Sequence, residues 1–209
     1  MRTGVLSLQG DFARHRSILL QAGVDAVEVR TPQQLAEVDA LIIPGGESTT
    51  IGMLCERFGL LQEITERIGN GMPVFGTCAG AILLAEHIEE SNQPRIGGLP
   101  VRIRRNAYGR QKESFQRGLS LTPEFARETA LATGEDDGGE TFLGVFIRAP
   151  RIVDVSEDVE ILARAGDEPV LVRKGAIWAA AFHPELTGDA RIHQTFIAHA
   201  VSLTAMSRA

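Results

Sequence analysis

The chain has 209 residues, of which 44% are hydrophobic and 23% charged, the proportions of a globular protein with room for one substantial core. Its formal net charge of −6 argues against a general nucleic-acid binder, and no apolar run approaches the roughly 18–20 residues that span a bilayer. Two cysteines, Cys55 and Cys78, form no disulfide framework and no C-x-x-C pair, and the apolar part of the N-terminus is too short for a signal peptide, so a reducing cytoplasm is the expected setting.

Residues 4–8 predict a buried first strand ending at Gln9-Gly10, and Ile18, Leu19 and Ala22 give a helical face stopped by Gly23. A second strand over 26–29 is followed by Thr31-Pro32, an N-cap with proline at the first helical position. A third strand over 40–43 runs into Pro44-Gly45-Gly46-Glu47-Ser48-Thr49-Thr50, where Ser48 or Thr49 caps a helix carrying Ile51, Leu54 and Cys55. A helix over 60–68 ends at Gly69-Asn70-Gly71. A fourth strand, from Pro73 to Phe75, enters Gly76-Thr77-Cys78-Ala79-Gly80, with a helix predicted over 81–86. This alternation predicts an α/β fold: three layers, with a mostly parallel sheet flanked by helices. Ligands in such sheets bind at the carboxyl ends of the strands, where Gln9-Gly10, Gly45-Gly46 and Cys78 converge.

Beyond Gly97 the character changes. Residues 101–105 alternate apolar and basic side chains, as a half-exposed strand does. Residues 106–140 are polar and irregular, and the acidic, glycine-rich stretch 134–140 predicts a mobile, solvated loop. Residues 141–149 are apolar again. The runs 159–163, 170–172 and 177–182 predict an antiparallel set, with Lys174-Gly175 turning the last pair, and deliver His183-Pro184-Glu185. A closing helix is expected over 189–201. No repeat or second domain is visible, so residues 1–209 are read as one domain.

Gly76-Thr77-Cys78-Ala79-Gly80 is the G-x-nucleophile-x-G spacing of a strand-to-helix elbow, with cysteine as the nucleophile. The turn strains the nucleophile's backbone, and small residues on either side let strand and helix approach. The thiol then lies at a helix N-terminus, a setting that favours thiolate. The alternative is a buried structural cysteine beside a glycine turn. A cysteine nucleophile needs a base, and the base needs an orienting group. His15, His87, His193 and His199 lie in helical stretches and read as packed or solvated side chains. His183 follows an apolar strand, and Glu185 is two residues on, so Cys78, His183 and Glu185 form the candidate triad. A zinc site is not expected, because neither cysteine has a ligand-spaced neighbour. Gly45-Gly46 is not followed by Gly-Lys-Ser/Thr and so is no P-loop. Its better use is an oxyanion hole, pairing a Gly46 N–H with that of Ala79. Arg102, Arg104, Arg105 and Arg110 could alternatively form a phosphate or nucleic-acid stripe, but no aromatics interleave them.

Gly76-Thr77-Cys78-Ala79-Gly80 together with His183-Pro184-Glu185 resembles the class I glutamine amidotransferase family. Leu8-Gln9-Gly10, the Pro44–Thr50 segment, Arg105-Asn106, Gly109-Arg110-Gln111, Gly144-Val145-Phe146-Ile147-Arg148-Ala149-Pro150 and Phe182 to Thr187 resemble, more narrowly, its branch of glutaminase subunits of pyridoxal 5′-phosphate synthase. The resemblance runs nearly end to end; the stretch 118–142 departs from it, being longer and more acidic. It implies a flavodoxin-like sheet, a catalytic Cys78, His183 and Glu185, and glutamine-binding positions at Gly46, Glu47, Ser48, Arg105, Ile147 and Arg148. It also implies L-glutamine as substrate and a separate TIM-barrel synthase subunit as partner in a large hetero-oligomer. That subunit combines the ammonia with ribose 5-phosphate and glyceraldehyde 3-phosphate, and glutaminase activity is expected to depend on docking to it. No cofactor or metal is implied, since pyridoxal 5′-phosphate is the product, and neither is nucleic acid or membrane. The residue types suit the substrate: Arg105 or Arg148 can clamp an α-carboxylate, and Glu47 can meet the ammonium unless it is simply solvated. Two rivals remain: another cysteine hydrolase on the same elbow, such as a peptidase or a glutaminase serving a different synthase, and a non-catalytic binding module with a relic triad.

Overall fold

The computed structural model describes residues 1–107, 114–134 and 139–206. The elements of the first half are β1 (Arg2–Leu6), α1 (Phe12–Gln21), β2 (Asp25–Val29), α2 (Pro32–Ala36), β3 (Ala40–Ile43), α3 (Ser48–Arg57), α4 (Leu60–Gly69), β4 (Val74–Thr77), α5 (Ala79–Leu84), β5 (Ala85–Ile88) and β6 (Leu99–Arg104). The second half adds β7 (Ser114–Leu121), α6 (Pro123–Thr133), β8 (Thr141–Ile147), β9 (Arg151–Val155), β10 (Glu160–Ala165), β11 (Glu168–Lys174), β12 (Ile177–Ala180), a 3-10 turn (Pro184–Leu186) and α7 (Arg191–Met206).

Nine strands form one sheet in the order β2-β1-β3-β4-β12-β11-β10-β7-β8. The first five pair in parallel, and their order is that of a flavodoxin-like doubly wound sheet, whose switch point falls between β1 and β3. The remaining pairs are antiparallel, so the sheet is mixed, with its parallel half carrying the predicted strand ends. Strands β3, β4 and β12 are buried at every residue, which is why they read as unbroken apolar runs rather than alternations. A second sheet contains β5, β6 and β9.

Alternation along β4 defines the layers. Phe75 packs on Trp178 of β12 and Phe196 of α7, and Trp178 meets Phe125 of α6. The next residue, Gly76, faces Gly80 and Leu84 of α5. Helices α1, α6 and α7 therefore lie on one face, and α5 with α3 and α4 on the other. Among the described residues no helix is long and apolar enough to cross a membrane.

Three sequence expectations change. The helix after Cys78 covers Ala79–Leu84 rather than 81–86. The carbonyl of Leu83 accepts from the N–H groups of Ile96 and Gly97 (2.8 and 3.0 Å), and Ala85 turns extended to start β5, which leaves His87 exposed on a strand. The polar stretch 106–140 is not irregular where described: it holds β7 and α6, the latter capped by Thr122, whose Oγ1 accepts from the Phe125 N–H at 3.3 Å. The closing helix runs on to Met206. Gly109, Arg110, Gln111 and residues 135–138 of the acidic stretch lie outside the described residues.

Candidate active site

Cys78 stands between β4 and α5 at φ 48°, ψ −100°, a conformation that costs an L-residue of order 1–3 kcal/mol. Backbone bonds on both sides hold it: its N–H donates to Ala180 O at 2.8 Å, and its carbonyl accepts from the Ile82 N–H at 3.2 Å. The flanking glycines are steric necessities. A Cβ on Gly76 would fall 2.5 Å from the Gly80 carbonyl carbon, and one on Gly80 would fall 2.1 Å from the Ile43 carbonyl oxygen.

His183 arrives from β12, its N–H bonded to Val145 O at 2.8 Å, and the 3-10 turn folds Glu185 back beneath it. Nδ1 of His183 lies 2.7 Å from Oε1 of Glu185. Because a carboxylate oxygen only accepts, Nδ1 carries the proton, which leaves Nε2 for the thiol. Burial opposes a charged His183, but the bonds and charges of Cys78 and Glu185 outweigh it and raise its pKa well above the ordinary value. Burial likewise opposes the Glu185 carboxylate, yet His15 and His183 hold it far below the usual carboxylate range. Both shifts favour the charged forms, with the imidazole ring seated on the carboxylate.

Cys78 and His183 open onto a cavity of about 280 Å³. Gly46, Glu47 and Ser48 reach it from the loop after β3, Arg105 and Asn106 from the end of β6, and Ile147 and Arg148 from the end of β8. Every candidate glutamine-binding position therefore lines the same cavity as the thiol. Ala79 does not; it is 1% exposed, at the start of α5. Gly45 lies against the base, since a Cβ there would be 2.3 Å from Cε1 of His183, and its carbonyl accepts from the Asp11 N–H at 3.1 Å. Among the described residues, non-glycine positions with positive φ are Cys78, Glu90, Asn106 and Arg148. Three of these four border the cavity, so backbone strain concentrates where chemistry is expected.

Glu47 departs from the sequence reading. It, not Ser48 or Thr49, caps α3, accepting from the N–H groups of Thr49 and Thr50 at 3.3 and 2.7 Å. It also pairs with Arg105 at 2.9 Å. Burial opposes its charge, but the bonds from Thr50 and Thr49 and the Arg105 charge lower its pKa. Its side chain is 47% exposed yet held in place by these bonds. Ser48 and Thr49 instead donate their hydroxyls to Oε1 of Gln93. The basic stripe is dispersed onto acids: Arg102 pairs with Asp154, Arg104 with Glu89 and Arg105 with Glu47.

Two residues set aside by sequence reasoning stand at the site. His15 and His193 are fully buried behind Glu185, whose Oε2 is 3.3 Å from Nε2 of His15. The available signal was position: His15 lies in the first turns of the helix that follows Gln9-Gly10, at the strand end shared with Cys78.

The model of the SNO glutamine amidotransferase family matches residues 5–202. The pyridoxal 5′-phosphate synthase subunit PdxT of Carboxydothermus hydrogenoformans is 48% identical over 197 residues, covering 94% of this chain and 96% of the relative. That of Pelotomaculum thermopropionicum is 49% identical over 197 residues, covering 94% of each. A solved crystal structure of a glutamine amidotransferase is 46% identical, covers 96% of this chain and 100% of its own, and superposes with a TM-score of 0.86. The structure of PurLQS from Thermotoga maritima, at 16% identity and a TM-score of 0.68 over 97% of this chain and 98% of its own, shares the fold.

Proposed function

The chain belongs to the SNO glutamine amidotransferase family, and from that premise we propose that it hydrolyses L-glutamine with Cys78 as nucleophile, His183 as acid and base, and Glu185 as the group that holds His183. The Cys78 thiolate attacks the side-chain amide carbon, and the oxyanion rests on N–H groups of the Gly46 and Ala79 region. His183 protonates the departing ammonia and then draws a proton from the water that releases the γ-glutamyl thioester. Arg105 or Arg148 takes the α-carboxylate of the substrate. Glu47 receives its ammonium from a fixed position, because the α3 cap and Arg105 already immobilise it.

The ammonia feeds pyridoxal 5′-phosphate synthesis, the process named in relatives at nearly half identity over nearly the whole chain. The consumer is a separate TIM-barrel synthase subunit in a large hetero-oligomer, and residues 1–209 act as one glutaminase domain in the cytoplasm. A single observation carries the reading: a strained cysteine and a histidine–glutamate pair 2.7 Å apart open on one cavity with two arginines. The test is ammonia release from glutamine with and without the synthase subunit. Cys78→Ala is expected to lose at least ~10³-fold of the stimulated rate, the scale on which removing a nucleophile acts. Full activity in that variant, or equal stimulation by the synthase of another pathway, would overturn the reading.

A further inference from the structure

Behind Glu185 lies a buried polar chain that the mechanism above does not use. Nε2 of His15 is 3.0 Å from Oγ1 of Thr77 and 3.3 Å from Oε2 of Glu185. Nδ1 of His15 is 3.0 Å from Nε2 of His193. All of these side chains are enclosed: His15, Thr77 and His193 are 0% exposed and Glu185 is 4% exposed. Oε2 of Glu185 makes no hydrogen bond beyond this ionic contact with His15, and Nδ1 of His193 has no partner.

The chemistry of the carboxylate constrains the ring that faces it. A carboxylate oxygen and a lone pair repel, so Nε2 of His15 carries a hydrogen, which lies against Thr77 Oγ1 at 3.0 Å and presents its positive end to Oε2 of Glu185 at 3.3 Å. Nδ1 of His15 and Nε2 of His193 share one hydrogen, which joins the two rings. His193 is itself neutral, because burial, helped by His15, pushes its pKa down to about 3. The titratable groups around Glu185 are then His183 on its own turn, His15 on α1 and His193 on α7, with Cys78 beyond His183.

We propose that His15 is a positioning residue for the glutaminase reaction: its Nε2–H fixes the outer oxygen of Glu185, so that the inner oxygen keeps hold of Nδ1–H of His183, while His193 holds the other nitrogen of the His15 ring. This rests on the assignment of His183 and Glu185 as catalytic. Without His15, one oxygen of a fully desolvated carboxylate faces no donor. The carboxylate then rotates away from His183 or takes up a proton, and either event loosens the base.

The experiment uses the complex with the synthase subunit and follows ammonia release against pH and glutamine concentration. Three substitutions at position 15 separate donor from packing. His15→Leu fills the space without a donor, His15→Gln places an amide nitrogen where Nε2 was, and His15→Asn places one where Nδ1 was. The expected result is a kcat in His15→Leu lowered ~10–100-fold with an unchanged KM. The acid limb of its profile moves to higher pH as Glu185 protonates more easily, and His15→Gln restores most of both. If His15→Leu does not fold, His15→Gln and His15→Asn decide, with Gln expected to be the more active. An unshifted acid limb in folded His15→Leu, or equal activity of the Gln and Asn forms, overturns the proposal. Cys78→Ala runs alongside: its inactivity with an unaffected His15→Leu removes only the role of His15, whereas its activity removes the triad and this proposal together.

Discussion

His193 illustrates how an apolar enclosure converts a titratable ring into a pH-dependent load on stability. It is fully buried, edge-on to Phe75 at 6.0 Å between ring centroids, and burial sets its pKa at about 3. In the unfolded chain the same ring titrates near ~6.5. Its folded pKa is thus below its unfolded one, so below pH ~6.5 the unfolded state binds the extra proton. Stability is lost as pH falls from there toward about 3, with a slope approaching ~1.4 kcal/mol per pH unit. His183 has the opposite sign: its raised pKa contributes stability that is complete below ~6.5 and lost as pH rises through the folded value. Glu185, held far below the usual range, contributes stability that is present above ~4.3 and lost below it. The interval between ~4.5 and ~6.5 leaves out Glu185 but holds His199 as well, whose pKa burial and the Arg173 charge also lower. A variant at position 193, not the wild-type slope, therefore singles out His193. His193→Gln keeps an N–H for Nδ1 of His15 and cannot titrate. In urea titrations across that interval its unfolding free energy is expected to decline less steeply than that of the wild type. Parallel declines would show that burial of a neutral His193 is not what makes the fold acid-sensitive.

At the scale of elements, the junction of β4 and α5 is fixed by how closely backbone meets backbone. Gly80 lies in a helix, where alanine is normally preferred by ~1 kcal/mol, so propensity alone predicts that Gly80→Ala stabilises. The packing predicts the reverse, because the new Cβ would meet the backbone oxygen of Ile43 at 2.1 Å and a strand carbonyl cannot swing aside. The expected cost is about 1–3 kcal/mol. Displacing Cys78 by an ångström is expected to lower ammonia release by ~10²-fold. Gly69→Ala, at the end of α4 with nothing within 4 Å of its Cβ, is the control and is expected to be at least as stable as the wild type by denaturant midpoint. The elements built on such junctions were largely legible. Strands buried on both faces leave unbroken apolar runs, and the elbow leaves its glycines at fixed offsets around Cys78. The failures share a physical cause: short-range pattern is silent about partners far along the chain. β7 buries only Leu119 and Leu121 fully, so it reads as polar, although Thr122-Pro123 carries the same cap signal that was legible at Thr31-Pro32. The apolar residues 81–85 do not reveal where helix gives way to strand, because the decisive bonds come from Ile96 and Gly97. Glu47 caps α3 from one residue earlier than the hydroxyl candidates. His15 and His193 look like ordinary packed histidines until the fold brings them together across 178 residues.

The molecule as a whole divides its sheet between two tasks. The parallel half raises Cys78 and delivers His183, while the antiparallel half walls the cavity through Ile147 and Arg148 at the end of β8 and anchors the His183 N–H on Val145. What joins the antiparallel strands to the helices over them is a charge cluster at the other end of β12. Arg173 of β11, paired in register with Trp178, binds Glu128 of α6 at 2.7 and 3.0 Å and Glu160 of β10 at 2.9 Å. It also donates to Nδ1 of His199 on α7 at 3.1 Å and lies 5.3 Å over the Trp178 ring. Burial opposes its charge, yet the two carboxylates raise its pKa. Removing one partner of a buried pair costs ~3–5 kcal/mol. Here the Arg173 side chain is 10% exposed while Glu128 and Glu160 are 38% and 63% exposed, so water takes up part of the loss. Arg173→Met is therefore expected to destabilise by about 1–3 kcal/mol, and adding Glu128→Gln should recover part of it, because the two sites share one interaction. Both effects are read from thermal melts. Below the melting transition kcat and KM for glutamine are expected to match the wild type, since the cluster touches no residue of the cavity. A lower kcat in fully folded Arg173→Met would show instead that the antiparallel half transmits strain along β12 to His183, and that the two tasks are not separate.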